Sequence, residues 1–531
     1  MNRLQRILMV FGLLVLGLSA QAEKVMVYCS EASPSTFNPQ LAVDGPSFTA
    51  STSTVFNRLV EFKYGSVELT PGLAESWTIS KDGRTYTFNL RKNVKFHESK
   101  NFKPSRPMNA DDVIFSFDRM RDKNHPFHNV SGGAYEYFQS IGMGEIIESI
   151  SKKDDHTVEF RLKRAHSPFL TDMATNFAVI HSKEYGEQLI KSKKLQDMDT
   201  EPVGTGPYKL VRYVKDSSIR FTANKDYFLG APKIGTLVFS ITPDPSVRFQ
   251  KLKTGECHLI AEPAPTDLPS MKKNPKIQVM NNAGLNVGYL AFNVLKSPLD
   301  QTDVRRALAM ALNREQYLKL IYLGTADLAK NPIPPTMWGY NKATKEIPYD
   351  PAKAKALLKK AGVKEGLELE LWTLPVSRPY NPNGKKMGEL MQADLAKVGV
   401  QLKLVTYDWP TYLDKGRKGE HQLIHLGWIS DTGDPDNFFG NLLTCKAKAG
   451  GSNYAQWCNE AFDKEVIEAQ KVSDKKKRIA HYHKAQEIFS KEMPWAPLAH
   501  ASVYRAFSKK LKGYKIHPIG VEEFFPLDLA Q

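Results

Sequence analysis

From Leu423 to Trp428 the chain is an apolar run interrupted only by His425, and it then dissolves into Ser430, Asp431, Gly433, Asp434 and Pro435. A short apolar run bounded by such residues reads as a buried strand that has to stop, which places a carboxylate, Asp431, just past a strand end. Earlier positions alternate instead. Trp77 and Ile79, an Asp82-Gly83 turn, and then Tyr86, Phe88 and Leu90 set against Thr85, Thr87 and Asn89 predict a hairpin with one buried face. Asn109-Ala110-Asp111-Asp112 predicts a capped helix through Phe115 and Phe117, with acids in the first turn where the helix dipole favours them. Val158, Phe160 and Leu162 alternate again, so residues 57–203 read as a small α+β unit.

Further along, Asp350-Pro351 opens a helix that Gly362 closes. Leu367, Leu369 and Leu371 alternate as a strand; Met387, Leu390, Met391, Leu395 and Val398 recur at helical spacing; Val400, Leu402 and Leu404 alternate once more. Strand, helix, strand in that order is a crossover, and crossovers join parallel strands. The run from Leu423 is expected in the same sheet and direction. Ligands bind beyond the carboxyl ends of strands in open α/β sheets. Arg378, in the loop Leu374-Pro375-Val376-Ser377-Arg378-Pro379-Tyr380-Asn381-Pro382-Asn383, and Asp431 are therefore expected at one sheet edge. Parallel neighbours lie ~4.8 Å apart and an extended dipeptide spans ~7 Å, so a cation and a carboxylate on nearby loops suit a short zwitterion. Arg offers a planar fork for a carboxylate, and Asp431 beside Trp428 offers a charge and an aromatic wall for an amine.

The chain begins with Arg3 and Arg6, an apolar stretch from Ile7 to Leu18, and Ser19-Ala20-Gln21-Ala22, the order of a cleavable export signal. Cleavage there leaves 531 − 22 = 509 residues starting near Glu23, enough for two or three domains. No Cys follows the cleavage site, so a lipid anchor is not expected and a Gram-negative periplasm is the expected compartment. The formal charge of +16 falls to +14 without the two signal arginines. The basic residues come as scattered pairs such as Lys272-Lys273 and Lys385-Lys386, the denser run Lys475 to Arg478 after Ser473-Asp474 reads as the start of a helix with a solvated face, and no basic stripe is interleaved with aromatics, so nucleic acid is not an expected partner. Four cysteines permit three pairings, and an oxidising compartment favours pairing. The expected bridges are Cys29 with Cys257 and Cys445 with Cys458, the second closing a short loop rich in Gly450, Gly451, Ser452 and Asn453.

The series Pro71-Gly72-Leu73-Ala74-Glu75-Ser76-Trp77, Asp82-Gly83, Tyr86-Thr87-Phe88, Val94-Lys95-Phe96-His97 and Asn109-Ala110-Asp111-Asp112-Val113 resembles the peptide and nickel class of extracellular solute-binding proteins, which serve ABC importers. Gly204-Thr205-Gly206-Pro207-Tyr208, Gly284 to Tyr289 and Pro334-Pro335-Thr336-Met337-Trp338 resemble its dipeptide-binding branch, whose relatives include haem-binding proteins. The resemblance implies an α/β, two-lobed periplasmic binding protein of the large, peptide-binding type. The first lobe is then discontinuous (23–56, 204–285 and 500–531), residues 57–203 are an inserted subdomain, residues 286–499 are the second lobe, and a hinge joins the two. It also implies an Asp after Gly-Trp for the peptide amine, here Asp431 after Gly427-Trp428, and an Arg before Pro-Tyr-Asn-Pro for the carboxylate, here Arg378 before Tyr380. Ser430 departs from the Gly that close relatives carry. By the same resemblance Tyr135, the chain near Gly45, Trp409 and Trp428 line the cleft; Trp409 and Tyr135 fit a core equally well.

These readings make a monomeric binding protein, with a dipeptide and an importer's membrane subunits as partners and no metal or cofactor. Haem or a longer peptide is the alternative ligand on the same fold. Haem requires an axial side chain, and His425 is near but inside a strand. A hydrolase is the rival of another class, and the chain has no His-Glu-x-x-His, Gly-x-Ser-x-Gly or P-loop motif to support it.

Overall fold

The computed structural model describes residues 23–530; the expected export signal, residues 1–22, lies outside the described residues. The chain enters through strand β1 (Val25–Ser30) and reaches helix α1 (Gly45–Ser51), where the Asp44 side chain caps the first turn by accepting from Ser47 N at 2.9 Å. It then builds a separate four-stranded antiparallel sheet from β2 (Ala74–Ile79), β3 (Thr85–Leu90), β4 (Ile147–Asp154) and β5 (Thr157–Leu162), in the order β2-β3-β5-β4. Helix α2 (Ala110–Arg121) packs on this sheet and starts in a capping box between Asn109 and Asp112. Tyr86, Phe88 and Leu90 are buried as their alternation demands. Ile79, however, is 47% exposed, because it ends an edge strand at the Asp82-Gly83 turn where no second layer covers it.

The chain returns through β6 (Tyr208–Val214), β7 (Ser218–Ala223), β8 (Thr236–Ile241) and β9 (Leu259–Ile260). β8 and β9 flank β1 in parallel, and β7 and β6 follow outward from β8 in antiparallel order. β10 (Ile277–Ala283) runs straight on into β11 (Asn286–Phe292). The second lobe follows with β12 (Leu367–Trp372), α3 (Gly384–Ala396), β13 (Val400–Val405), α4 (Trp409–Arg417), β14 (Leu423–Ile429) and α5 (Asp436–Leu442). β12 lies between β13 and β14 and is parallel to both, as the crossover requires. Met387, Met391, Leu395 and Val398 are buried over that sheet.

The last long strand, β15 (Trp495–Ser508), joins the two halves. Its residues Trp495 to Ala499 pair with β11 in the second lobe, and Ser502 to Ser508 pair with β10 in the first. Between them the side chain of Asn286 spans the crossing: Nδ2 donates to Ala501 O at 2.7 Å, and Oδ1 accepts from Ala501 N at 2.9 Å. Bridges join Cys29 to Cys257, with Cα atoms 5.9 Å apart, and Cys445 to Cys458, at 4.4 Å. The second lobe and the inserted unit are also in contact. They share one continuous apolar cluster, and Ser167 N donates to Gln470 O at 2.7 Å across the join.

Candidate ligand-binding site

Two loops leave neighbouring parallel strands at the same edge. The one after β12 carries Arg378 and folds back on itself, Arg378 N and Asn381 N each donating to the other's carbonyl, at 3.1 and 3.0 Å. It lies flat on β11 and β14 because both strands present glycine there. A Cβ on Gly288 would come within 2.2 Å of Tyr380 O, and one on Gly427 within 2.2 Å of Tyr380 Cδ2. Tyr322 OH pins the same carbonyl from below at 2.6 Å. Tyr380 is thereby clamped and buried, and its neighbour Arg378 is turned into the space between the lobes.

The loop after β14 is organised by Asn437 at the start of α5. Asn437 Oδ1 accepts from Trp428 Nε1 at 2.8 Å and from Asp431 N at 2.9 Å, while its Nδ2 donates to Tyr137 OH at 2.5 Å. Ser430 N donates to Leu285 O at 2.7 Å, and its hydroxyl reaches Thr432 O at 2.5 Å. Ser430 is not among the positive-φ residues, so a side chain at this position costs no strain.

These loops, with Gly45 at the head of α1 and Trp409 at the head of α4, line one cavity of about 160 Å³ between the lobes. Arg378 and Asp431 both face it. Burial pushes the Asp431 carboxyl up to about 7, even though Tyr137 and Asn437 hydrogen-bond to its ionised form. Among the described residues no basic group lies within ion-pair distance of Asp431. Arg378 stands 3.6 Å from Glu31 of the first lobe and 5.3 Å from the centre of the Trp409 ring, a cation–π contact. A second charge cluster lines the same cavity, where Arg505 pairs with Glu522 and with Glu262 at 3.3 Å.

Of the residues singled out from sequence, Asp431, Arg378, Trp428, Tyr380, Trp409 and Gly45 come together in this cavity. Tyr135 does not. It sits fully buried in the inserted unit at φ 43°, its hydroxyl donating to Phe127 O and accepting from Arg119 Nε, both at 3.1 Å. The left-handed backbone at Tyr135 opens the short helix Glu136–Ser140, and it is Tyr137, two residues on, that enters the cavity. Nothing in Tyr135-Glu136-Tyr137 separates the two rings at the level of sequence. Glu31, Glu262 and Arg505 have no local signature in the sequence, because they come from distant segments that only the tertiary fold assembles; Asn437 lies within the Asp-Pro-Asp-Asn segment but carries no separate signal. His425 is fully buried inside β14 with Nε2 3.0 Å from Met391 Sδ, and it lies away from the cavity.

A cleft between two lobes, joined by adjacent strand crossings and holding an opposed acid and base, defines a solute-binding protein. The chain belongs to the bacterial extracellular solute-binding proteins, family 5, and matches its middle region over residues 68–450. It is 49% identical to the dipeptide-binding protein of Escherichia coli K12 over 521 residues, 97% of each chain. It is also similar to a solved dipeptide-binding protein from Pseudoalteromonas sp. SM9913 in complex with Met-Leu: TM-score 0.93, 39% identity, 96% of this chain and 100% of that one. An ABC transporter-associated periplasmic binding protein from Helicobacter pylori in complex with the peptide STSA gives a TM-score of 0.92 at 37% identity, over 96% and 99% of the two chains.

Proposed function

We propose that this protein is a periplasmic receptor that closes on a dipeptide and delivers it to the membrane subunits of an ABC importer. The carrying observation is the pair of opposite, separately held charges in one cavity: Asp431, with no cation within ion-pair distance among the described residues, and Arg378 beside Glu31. An ammonium supplies what Asp431 lacks, and burial strengthens the pair. At the far end the peptide carboxylate takes the Arg378 fork, with the Trp409 ring behind it.

Closure is a population shift: a ligand touching both lobes stabilises the closed arrangement by the contacts it makes only there. The two crossings near Gly284-Leu285 and Ala501-Ser502, tied by Asn286, are the segments about which the lobes turn. This supports lobes of 23–56, 204–285 and 500–531 against 286–499, with 57–203 carried by the first. The compartment rests on the basic, apolar, Ala-Gln-Ala order of residues 1–22 and on the family's extracellular role. Haem fits this site poorly. Among the described residues, no His, Cys or Met lines the cavity, and its tyrosines are committed to the walls.

Calorimetric titration of Ala-Ala against its N-acetyl and C-amide forms tests the reading. Tight binding of the free dipeptide alone is expected; equal binding of the blocked forms removes the charge clamp. Mass spectrometry of material that co-purifies with the native protein reports the ligand directly, a dipeptide being expected and haem overturning the assignment.

A further inference from the structure

Behind Asp431 lies a second chamber of about 320 Å³, twice the ligand cavity, with Asp431, Ile519 and Val521 as a shared wall. Apart from Asp431 it is built by the first lobe and the inserted unit, and its walls are rich in aromatic rings, among them Phe56, Tyr227 and Phe228. Besides Asp431, a second carboxylate facing it is without a paired cation among the described residues. Glu523 has no basic group within ion-pair distance among the described residues, and its contact with Gly65 N is long at 3.4 Å. Arg58, the cation that acts on it, is held by Glu61, with Nε donating to Oε2 at 2.9 Å. Lys63 also lines the chamber but turns outward to Glu68 at 3.4 Å. His517 is neutral near pH 7, since burial drives its pKa down to about 4. Burial likewise holds the Glu523 carboxyl up at about 7, the state of an acid lacking its counter-ion.

We propose that this chamber receives the side chain of the ligand's first residue and selects a basic one, whose terminal cation meets Glu523. The inference rests on the reading above that the peptide amine sits at Asp431, which places the first Cα against the shared wall. A lysine or arginine stem covers apolar and aromatic surface along its methylenes while its charge continues to a polar end. The chamber supplies both features, aromatic walls and the Glu523 carboxylate. An extra residue at the amine end would instead bring a backbone N–H and C=O in need of partners. Asn57 in the chamber lining is committed, donating to Tyr227 OH at 3.2 Å and accepting from Thr205 Oγ1 at 3.1 Å, whereas Thr52 Oγ1 is buried there without a partner among the described residues, so Ala-Ala-Ala is included in the test.

Calorimetry with Lys-Ala, norleucyl-Ala, Ala-Lys, Ala-Ala and Ala-Ala-Ala decides it, using the wild type and the isosteric Glu523→Gln, with thermal unfolding to confirm that the variant folds. Lys-Ala is expected to bind about tenfold tighter than norleucyl-Ala in the wild type, and the difference to fall to about twofold or less in E523Q. Ala-Ala is expected to bind both proteins alike, and Ala-Lys to gain nothing from Glu523. Equal affinities for Lys-Ala and norleucyl-Ala in the wild type, or a preference that survives in E523Q, overturn the proposal. Ala-Ala-Ala matching Ala-Ala in the wild type and weakened in E523Q assigns the chamber to an added residue and overturns it too. If Ala-Ala itself fails to bind, the charge clamp falls and this inference with it; if Ala-Ala binds without a Lys-Ala preference, only the chamber falls.

Discussion

The ring of Tyr380 lies directly on the backbone of Gly427, so closely that a Cβ at Gly427 would come within 2.2 Å of Cδ2 and 2.5 Å of Cε2. This contact couples the loop carrying Arg378 to the strand that leads into Asp431. Gly427→Ala is therefore expected to lift Tyr380 and displace Arg378, costing about 1–3 kcal/mol of stability by overpacking and weakening dipeptide binding as well. Urea unfolding and calorimetry on the same variant check both halves. A variant as stable as wild type with unchanged affinity contradicts the coupling.

Asp431→Ala is expected to leave the fold intact and lose ~2–5 kcal/mol of dipeptide affinity, since the buried ammonium would have no partner. Circular dichroism and titration with Ala-Ala provide the comparison. Unchanged affinity in a folded variant would show that the amine lies elsewhere.

Arg378→Ala is expected to weaken dipeptides more than longer peptides. If both ligand ends are fixed by charge, each added residue needs ~3.5 Å of room or pulls the carboxylate off the fork. A series of Ala peptides of increasing length, titrated into wild type and variant, measures this. Tetrapeptides that match dipeptides in the wild type would mean that the carboxylate is not anchored at Arg378.

The pH dependence has a definite sign. In the closed cavity without ligand the Asp431 pKa is raised to about 7 by burial, and an ammonium beside it favours the ionised form and lowers it. Binding to the closed form therefore releases a proton below about pH 7, and affinity for Ala-Ala rises from about pH 5.5 to about pH 7, above which the peptide's own α-ammonium, with a pKa of about 8, loses its proton and affinity turns down. The stabilisation that Ala-Ala confers in thermal unfolding is expected to grow in the same direction. Calorimetry in buffers of different ionisation enthalpy counts the proton. Affinity that falls over this interval would contradict the charge pair.

Cys445 and Cys458 are bonded across a sequence separation of 13, and Cys29 and Cys257 across 228. Loop-closure entropy gives the shorter bridge a contribution of about 3 kcal/mol, and reduction is expected to lower thermal stability. Cys29→Ser and Cys257→Ser are expected to behave alike, because each removes the same link. Unequal melting shifts between those two variants would count against it.

Much of this protein was written locally. The alternation in Leu367, Leu369 and Leu371, the helical spacing from Met387 to Val398 and the apolar run at Leu423 each report which face of an element meets the core, and a crossover has one hand and one strand direction. The shared edge of Arg378 and Asp431 follows from those short-range patterns, and β12 and β14 are in fact direct neighbours. Residues drawn from separate segments were decided only by the assembled fold. Tyr137 rather than Tyr135 faces the cavity because a single left-handed residue at Tyr135 sets the helix that follows it, and that conformation is held by Arg119 and Phe127 from elsewhere. Glu31 meets Arg378, and Glu523 faces the chamber behind Asp431, because β1, the returning β15 and the C-terminal segment converge from the two ends of the chain. Periodicity encodes burial and direction, which are properties of one element, whereas the charge each acid meets in the cleft depends on which distant segments the assembled sheet brings beside it.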